Sequence, residues 1–391
     1  MQPNSGENRL IYFDNAATSW PKPPEMMAAM GHYNEMIGGS PGRSGHRRSL
    51  AAGRVILETR EALAELFGCR DSLQIVFTKN ATEALNIALL GLLHPGDHVL
   101  ASGMEHNSVM RPLRFLETKG VGVSVVACSG EGRLNPEDVR AAIRPQTRLL
   151  VVAHASNVTG TVQPVAELGQ IARQHGIFFC VDAAQTAGAL PIHVDEMAID
   201  LLAFSGHKSL YGPQGTGGLY IRERIEKQLP PFMMGGTGSR SEFEAQPDFL
   251  PDKYESGTPN TIGVAGLGAG VRFVLAAGIE TIRRKEEGLT EKFLKGLASV
   301  QGITVYGTPD AAIRTAVVSF NIAGVSPSEA ALELDERFGI LCRPGLQCAP
   351  AAHRTIGTFP RGTIRFGFSY FNTDEEISFA LEAIRLLAMR T

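Results

Sequence analysis

The first 221 residues carry seven short apolar runs, and most of them end in a polar turn that leads into a helical segment. The runs are Leu73–Phe77, His98–Ala101, Val121–Val126, Leu149–Ala153, Ile177–Val181, Leu201–Phe204 and Gly218–Ile221. Apolar stretches this short, bounded by turn residues, read as buried strands. Their alternation with helices implies an α/β fold with a mostly parallel, seven-stranded sheet covered by helices. In such sheets ligands gather beyond the carboxyl ends of the strands. His106, Asn157, Asp182, Ser205 and Lys208 all fall at such ends.

Helix starts are marked along the chain. Asn80 with Glu83, Asn135 before Pro136, Ser326 with Glu329 and Thr373 with Glu376 each carry an N-terminal signature. At Thr78–Glu83 a strand feeds a helix N-terminus, where free N–H groups and the helix dipole can receive a phosphate. Capping alone would use the same residues. Residues 1–20 read as an arm with a short strand at Leu10–Phe13. The glycine-rich stretch Gly38–His46 reads either as a flexible connection or as a lid that brings His46 to a substrate. From about Ile262 the texture changes to an α+β unit. We expect a large domain over residues 21–261 and a small one from 1–20 plus 262–391.

A chain of 391 residues can bury a large core and divide this way. Its formal net charge of −3 gives no reason to expect nucleic acid or an anionic membrane as partner. No apolar run approaches a membrane-spanning length, and Met1–Glu7 lacks the segments of a signal peptide. The five cysteines are odd in number and form no Cys-x-x-Cys pair, which argues against a disulfide framework or a metal site. A reduced, cytoplasmic protein is expected.

The chemistry concentrates at two strand ends. Leu201–Phe204 runs into Ser205-Gly206-His207-Lys208, and Ile177–Val181 runs into Asp182. A lysine held at a buried strand end loses part of its proton affinity, and its amine becomes a nucleophile for Schiff-base formation. An aspartate at the neighbouring tip can pair with a pyridinium nitrogen. The two together suit pyridoxal 5′-phosphate.

The chain resembles the class V aminotransferase group of pyridoxal-phosphate enzymes of fold type I, and within it the cysteine desulfurase and selenocysteine lyase family. The resemblance covers nearly the whole chain. It rests on Phe13-Asp14-Asn15-Ala16-Ala17-Thr18, Asn80-Ala81-Thr82-Glu83, Glu105-His106-Asn107-Ser108, Ser156-Asn157-Val158-Thr159-Gly160 and Val181-Asp182-Ala183-Ala184-Gln185. Ser205-Gly206-His207-Lys208, Ser256-Gly257-Thr258-Pro259 and Arg343-Pro344-Gly345-Leu346-Gln347-Cys348-Ala349 complete the set. It implies that Lys208 carries the cofactor's Schiff base, Asp182 meets the ring nitrogen, His106 stacks on the ring and Gln185 bonds the ring hydroxyl. Ala81, Thr82, Ser205 and His207 would hold the phosphate, with Thr258 reaching it from the other subunit of a homodimer. Asn157 and Arg365 would hold the substrate carboxylate, a task that suits the arginine fork, and Arg343 and His46 are also expected to meet the substrate.

By the same resemblance, Cys348 takes sulfur from L-cysteine as a persulfide and L-alanine leaves. A sulfur-acceptor protein could then receive it. Arg343 and His353 offer the thiol a route to thiolate character. The other four cysteines read as small buried hydrophobes. Gln347 departs from the family branch with a short cysteine loop, which usually has histidine directly before the cysteine; Pro344 and Ala351-Ala352-His353 depart too. L-Selenocysteine is an alternative substrate, and a class V lyase, epimerase or aminotransferase that does not use Cys348 is an alternative enzyme. Gly266-Leu267-Gly268-Ala269-Gly270 invites a nucleotide-binding oxidoreductase, although Val271 occupies the last glycine of that pattern. A cofactor-free sulfur carrier or scaffold is the non-enzymatic reading.

Overall fold

The protein is described from a computed structural model over residues 10–42 and 44–389. Residues 1–9 of the arm expected over 1–20, and Arg43 of the glycine-rich stretch, lie outside them. The chain begins with β1 (Ile11–Tyr12), α1 (Pro24–His32), α2 (Arg47–Phe67) and β2 (Ile75–Thr78). Then α3 (Ala81–Leu92) starts on Asn80, whose side chain accepts from Glu83 N at 2.9 Å. The alternation continues through β3 (His98–Ser102), α4 (Asn107–Glu117), β4 (Gly122–Val126), α5 (Pro136–Ala142), β5 (Thr147–Ala153) and α6 (Val165–Gln174). It closes with β6 (Phe178–Asp182), β7 (Leu201–Ser205) and β8 (Gly217–Ile221).

These strands form one sheet in the order β2-β8-β7-β6-β5-β3-β4. All neighbours are parallel except β8, which runs antiparallel to β7 and β2. The reversal has a local cause. Residues 206–216 between β7 and β8 contain no helix, and a parallel return needs a crossover of a dozen or more residues. Side chains alternate faces along each strand. Leu149, Val151, Leu201 and Ala203 join the core under α3 and α4, whereas Leu150, Val152, Leu202 and Phe204 join the core that includes α2 and α6. After β4 the chain crosses back over β3 to lay down β5, and from there the sheet grows the other way. That reversal opens a crevice at the strand ends.

The rest of the chain comprises α7 (Thr261–Ala277), α8 (Ile279–Ala298), β9 (Ile303–Tyr306), β10 (Val317–Ile322), α9 (Pro327–Phe338) and β11 (Ile340–Leu341). It ends with β12 (Arg343–Gly345), α10 (Pro350–Thr355), β13 (Thr363–Gly367) and α11 (Asp374–Ala388). A four-stranded antiparallel sheet, β12-β13-β10-β9, packs against α8, α9 and α11. Both α9 and α11 begin with full capping boxes, at Ser326 with Glu329 and at Thr373 with Glu376. The core centres on Phe293, stacked on Phe366 at 5.2 Å, with Phe320 and Phe368 edge-on. Ile11 and Phe13 belong to this core, and β1 pairs in parallel with β11. By contrast, Leu267, Val271 and Val274 of α7 pack with the large sheet.

The Gly266–Gly270 stretch lies inside α7 and forms no loop. Its glycines permit close approach of neighbouring elements. A Cβ on Gly268 would meet Thr59 Oγ1 of α2 at 2.3 Å, and one on Gly270 would meet the carbonyl of Leu210 at 2.3 Å. This overturns the nucleotide-loop reading, because those N–H groups serve the helix. Gly288 of α8, by contrast, has no atom within 4 Å of a would-be Cβ. Gly270→Ala should therefore destabilise the fold by about 1–3 kcal/mol through overpacking. Gly288→Ala should gain about 0.5–1 kcal/mol from helix propensity. Thermal midpoints of the two variants, read against the parent, check this opposition of sign.

Candidate active site

Asp182 is the last residue of β6, and its register partner on β7 is Ala203. The two tips therefore stand side by side, and the chain past β7 must turn at once. Gly206 makes that turn possible: a Cβ there would lie 2.2 Å from Thr216 Oγ1, while Gly206 N donates to Thr216 O at 2.8 Å. Lys208 follows and shares a cavity of about 280 Å³ with Asp182. His106 and Asn157, beyond β3 and β5, line the same cavity, as do Gln185, Ser205, His207, Ala81 and Thr82. Nine of the residues expected at the site thus meet in one place.

Electrostatics follow from enclosure. Burial lowers the Lys208 ammonium to about 8; the Asp182 carboxylate opposes the shift, and Arg365 and Arg343 reinforce it. Burial raises Asp182, countered by a hydrogen bond from Ala184 N at 2.9 Å and by Lys208. His106 is pushed down to about 4 by burial and by the charge of Lys208, so its ring is neutral. Ser108 N donates to His106 Nδ1 at 3.1 Å, which fixes the acceptor nitrogen and caps α4. Behind it, buried Glu105 accepts from Ser102 Oγ at 2.5 Å and from Ala153 N at 3.0 and 3.1 Å. Burial raises its carboxyl to about 8.

At the opposite end, the α3 N-terminus meets Ser205, whose Oγ accepts from Ala81 N at 3.1 Å. Thr82 Oγ1 lies 2.8 Å from Ser108 Oγ. His207 Nδ1 is buried without a partner. Such orphans are rare and call for one. Gln185 Nε2 donates to Ala16 O at 3.0 Å, tying the N-terminal arm to the cavity wall.

The small unit meets the cavity wall at Asn157. Arg365 on β13 is 1 % exposed. Its Nη2 donates to Asp14 Oδ1 at 2.7 Å and its Nη1 to Asn157 O at 3.1 Å, while Nε has no partner. Arg343 on β12 lies in register with Arg365. Cys348 is exposed, with Arg343 Nη2 3.8 Å from its sulfur. Two asparagines hold its loop to the cavity wall: Asn157 Nδ2 donates to Gln347 O at 2.8 Å, and Asn107 N donates to Cys348 O at 2.9 Å.

Three expected residues sit elsewhere. His46 does not line the cavity within this chain; its Nδ1 accepts from Ser49 N at 3.2 Å and caps α2. Thr258 lines a separate cleft with Phe232, Met233 and Glu255. His353, expected beside the thiol, is fully buried with both ring nitrogens engaged, so Arg343 alone of that pair meets the sulfur. Sequence reasoning assigned no role to Asp14, Glu105 or Ser108. All three stood inside quoted motifs, which was the available signal.

Comparison with known proteins follows this geometry. The aminotransferase class V family model matches residues 11–379. A probable cysteine desulfurase of Methanothermobacter thermautotrophicus is 37% identical over 97% of this chain and 94% of its own length. One of Pyrococcus abyssi is 35% identical over 94% and 92%. Among solved structures, the apo cysteine desulfurase of Thermococcus onnurineus superposes with a TM-score of 0.92 at 35% identity, covering 98% of this chain and 95% of that one.

The family depends on pyridoxal phosphate, and the residues present fit that group. The cavity offers an amine at Lys208 and a carboxylate at Asp182. It also holds a neutral imidazole at His106 and a phosphate end with an unpartnered His207 nitrogen. Lys208 can condense with an aldehyde only as its free amine. With that amine titrating at about 8, capture of pyridoxal phosphate by cofactor-free protein should slow about tenfold per pH unit below 8. Growth of protein-bound absorbance between about pH 6 and 8 measures it. A flat profile contradicts the assignment.

Proposed function

The chain belongs to the class V aminotransferase family and, within it, to the cysteine desulfurases, and from that premise we propose that it converts L-cysteine to L-alanine and holds the released sulfur as a persulfide on Cys348. The observation that carries the reading is the meeting of Lys208, Asp182 and His106 in one cavity whose wall is tied at Asn157 to the Cys348 loop. Pyridoxal phosphate, when bound, supplies an aldehyde for the substrate amine and a ring that accepts the electron pair left when the α-proton departs. Asp182 would hold the ring nitrogen, His106 the ring face and Gln185 the ring hydroxyl. Thr82, Ser205, His207 and the Ala81 backbone would hold the phosphate.

The protein's own groups then divide the work. Arg365 keeps two guanidinium nitrogens on Asp14 and Asn157 O, and its free Nε is available to the substrate carboxylate. Lys208 Nζ, once released, accepts the α-proton. The sulfur of Cys348 attacks the substrate sulfur, forming the S–S bond while the C–S bond breaks and its electron pair stays on carbon. Arg343 brings a cation to 3.8 Å from that sulfur. A thiol acceptor, small molecule or protein, takes the outer sulfur and returns Cys348.

A homodimer is part of the reading. Thr258 lines a cleft other than its own chain's Lys208 cavity. The stretch leading to it exposes Phe232, Met233, Met234 and Phe243, an apolar surface of the kind that partners cover. Five unpaired cysteines support a reducing, cytoplasmic setting.

Cys348→Ala separates this function from a class V reaction that bypasses the thiol. Alanine release from cysteine should fall by about 100-fold or more, as expected when a covalent step is removed. The change in cofactor absorbance on adding cysteine should persist. Turnover within twofold of the parent would reject the persulfide route.

A further inference from the structure

Gln347 and Cys348 adopt φ of 42° and 59°, two adjoining left-handed positions without glycine. Each such residue costs roughly 1–2 kcal/mol, so the turn persists only if its surroundings impose it. The surroundings are a buried polar chain. Gln347 is 3 % and His353 0 % exposed. Gln347 Nε2 donates to the carbonyls of Arg343 at 3.2 Å and Thr363 at 3.1 Å. That fixes Oε1 as the acceptor facing His353 Nε2 at 2.8 Å. A carbonyl oxygen cannot donate, so His353 carries its proton on Nε2. Nδ1 then accepts from Thr358 Oγ1 at 2.7 Å. Every donor and acceptor of both side chains is committed. Burial lowers His353 to about 4, which keeps the ring neutral.

We propose that His353, acting through Gln347, is a positioning residue for sulfur transfer: the neutral Thr358–His353–Gln347 chain latches the left-handed turn that presents the Cys348 thiol. His353 has no free lone pair for the thiol proton, so it is not a base for Cys348. Its effect passes through Gln347 to the backbone of the next residue. The turn is held from outside by Asn157 Nδ2 on Gln347 O and by Asn107 N on Cys348 O. From inside it is held by the latch. Buried, fully satisfied polar chains of this kind fix a single geometry. A thiol displaced by about 1 Å can lose about 100-fold in rate.

The inference rests on the proposed persulfide reaction, and the test separates the two. Holoenzyme carrying His353→Leu or His353→Gln is compared with the parent. In single turnovers with cysteine, the absorbance change on substrate entry and the appearance of persulfide on Cys348 are followed separately. Hydrogen exchange at residues 343–349 and the thermal midpoint are also read. His353→Leu should leave substrate entry within about twofold, slow persulfide formation about 10- to 100-fold and speed exchange in the loop. His353→Gln can donate to Gln347 and accept from Thr358, and should recover persulfide formation to within about threefold. If His353→Leu does not fold, Thr358→Val, which removes only the hydroxyl, should show the same selective loss on a smaller scale. Persulfide formation at the parental rate in His353→Leu overturns the latch. So does a parallel decline of both steps and of the midpoint that glutamine fails to rescue. If the parent itself forms no persulfide, the proposed reaction fails, while faster loop exchange in leucine but not glutamine still supports the latch and unchanged exchange rejects it.

Discussion

Two charged groups that a protein interior tolerates poorly, the Lys208 ammonium and the Asp182 carboxylate, stand at neighbouring strand tips and face one cavity. Alone, each would carry a desolvation penalty of several kcal/mol. Together they offset part of that cost, yet Lys208 still titrates at about 8, with burial dominant and two nearby arginines adding to the shift. The pair is in effect poised for a ligand that brings an aldehyde to the amine and a protonated nitrogen to the carboxylate. The parallel sheet makes this arrangement possible. Only strands that run the same way deliver their last residues to the same edge, and the crossing from β4 to β5 opens that edge to a ligand.

The small unit matters because it closes the other side. β1 pairs with β11, Phe13 enters the small core, and the arm then continues past Asp14 to the cavity wall at Ala16. One short segment thus couples the two layers. Asp14 holds Arg365, which touches Asn157 of the large sheet, which in turn holds Gln347 beside Cys348. Arg365, Asn157 and the Cys348 loop are therefore joined by a continuous set of hydrogen bonds that begins at the arm.

The large sheet was legible in the sequence because each strand is a compact apolar run, and the cavity-lining tips because glycine, lysine and aspartate follow those runs directly. The capping boxes at Ser326 and Thr373 were legible for the same local reason. Features that depend on distant partners were not. β12 is three residues, Arg343-Pro344-Gly345, with no strand signal of its own; it exists because β13 pairs with it. The Asp14–Arg365 pair spans 351 positions. His353 looked like a neighbour of the thiol by spacing, but its ring is buried against Gln347 while Cys348 is exposed. The glycines of α7 suggested a phosphate loop until packing against Thr59 and Leu210 gave them another purpose.

The central claim is that Lys208, opposite Asp182, grips a single pyridoxal phosphate. Borohydride reduction of the cofactor-loaded protein followed by peptide mapping tests it most directly, because reduction locks the cofactor onto whichever amine holds it. A second lysine provides the necessary contrast: Lys22 Nζ lies 2.7 Å from His207 O, and burial lowers it to about 8 as well. The account predicts one phosphopyridoxyl group per chain, on Lys208. A label on Lys22, or one distributed over surface lysines, would contradict it.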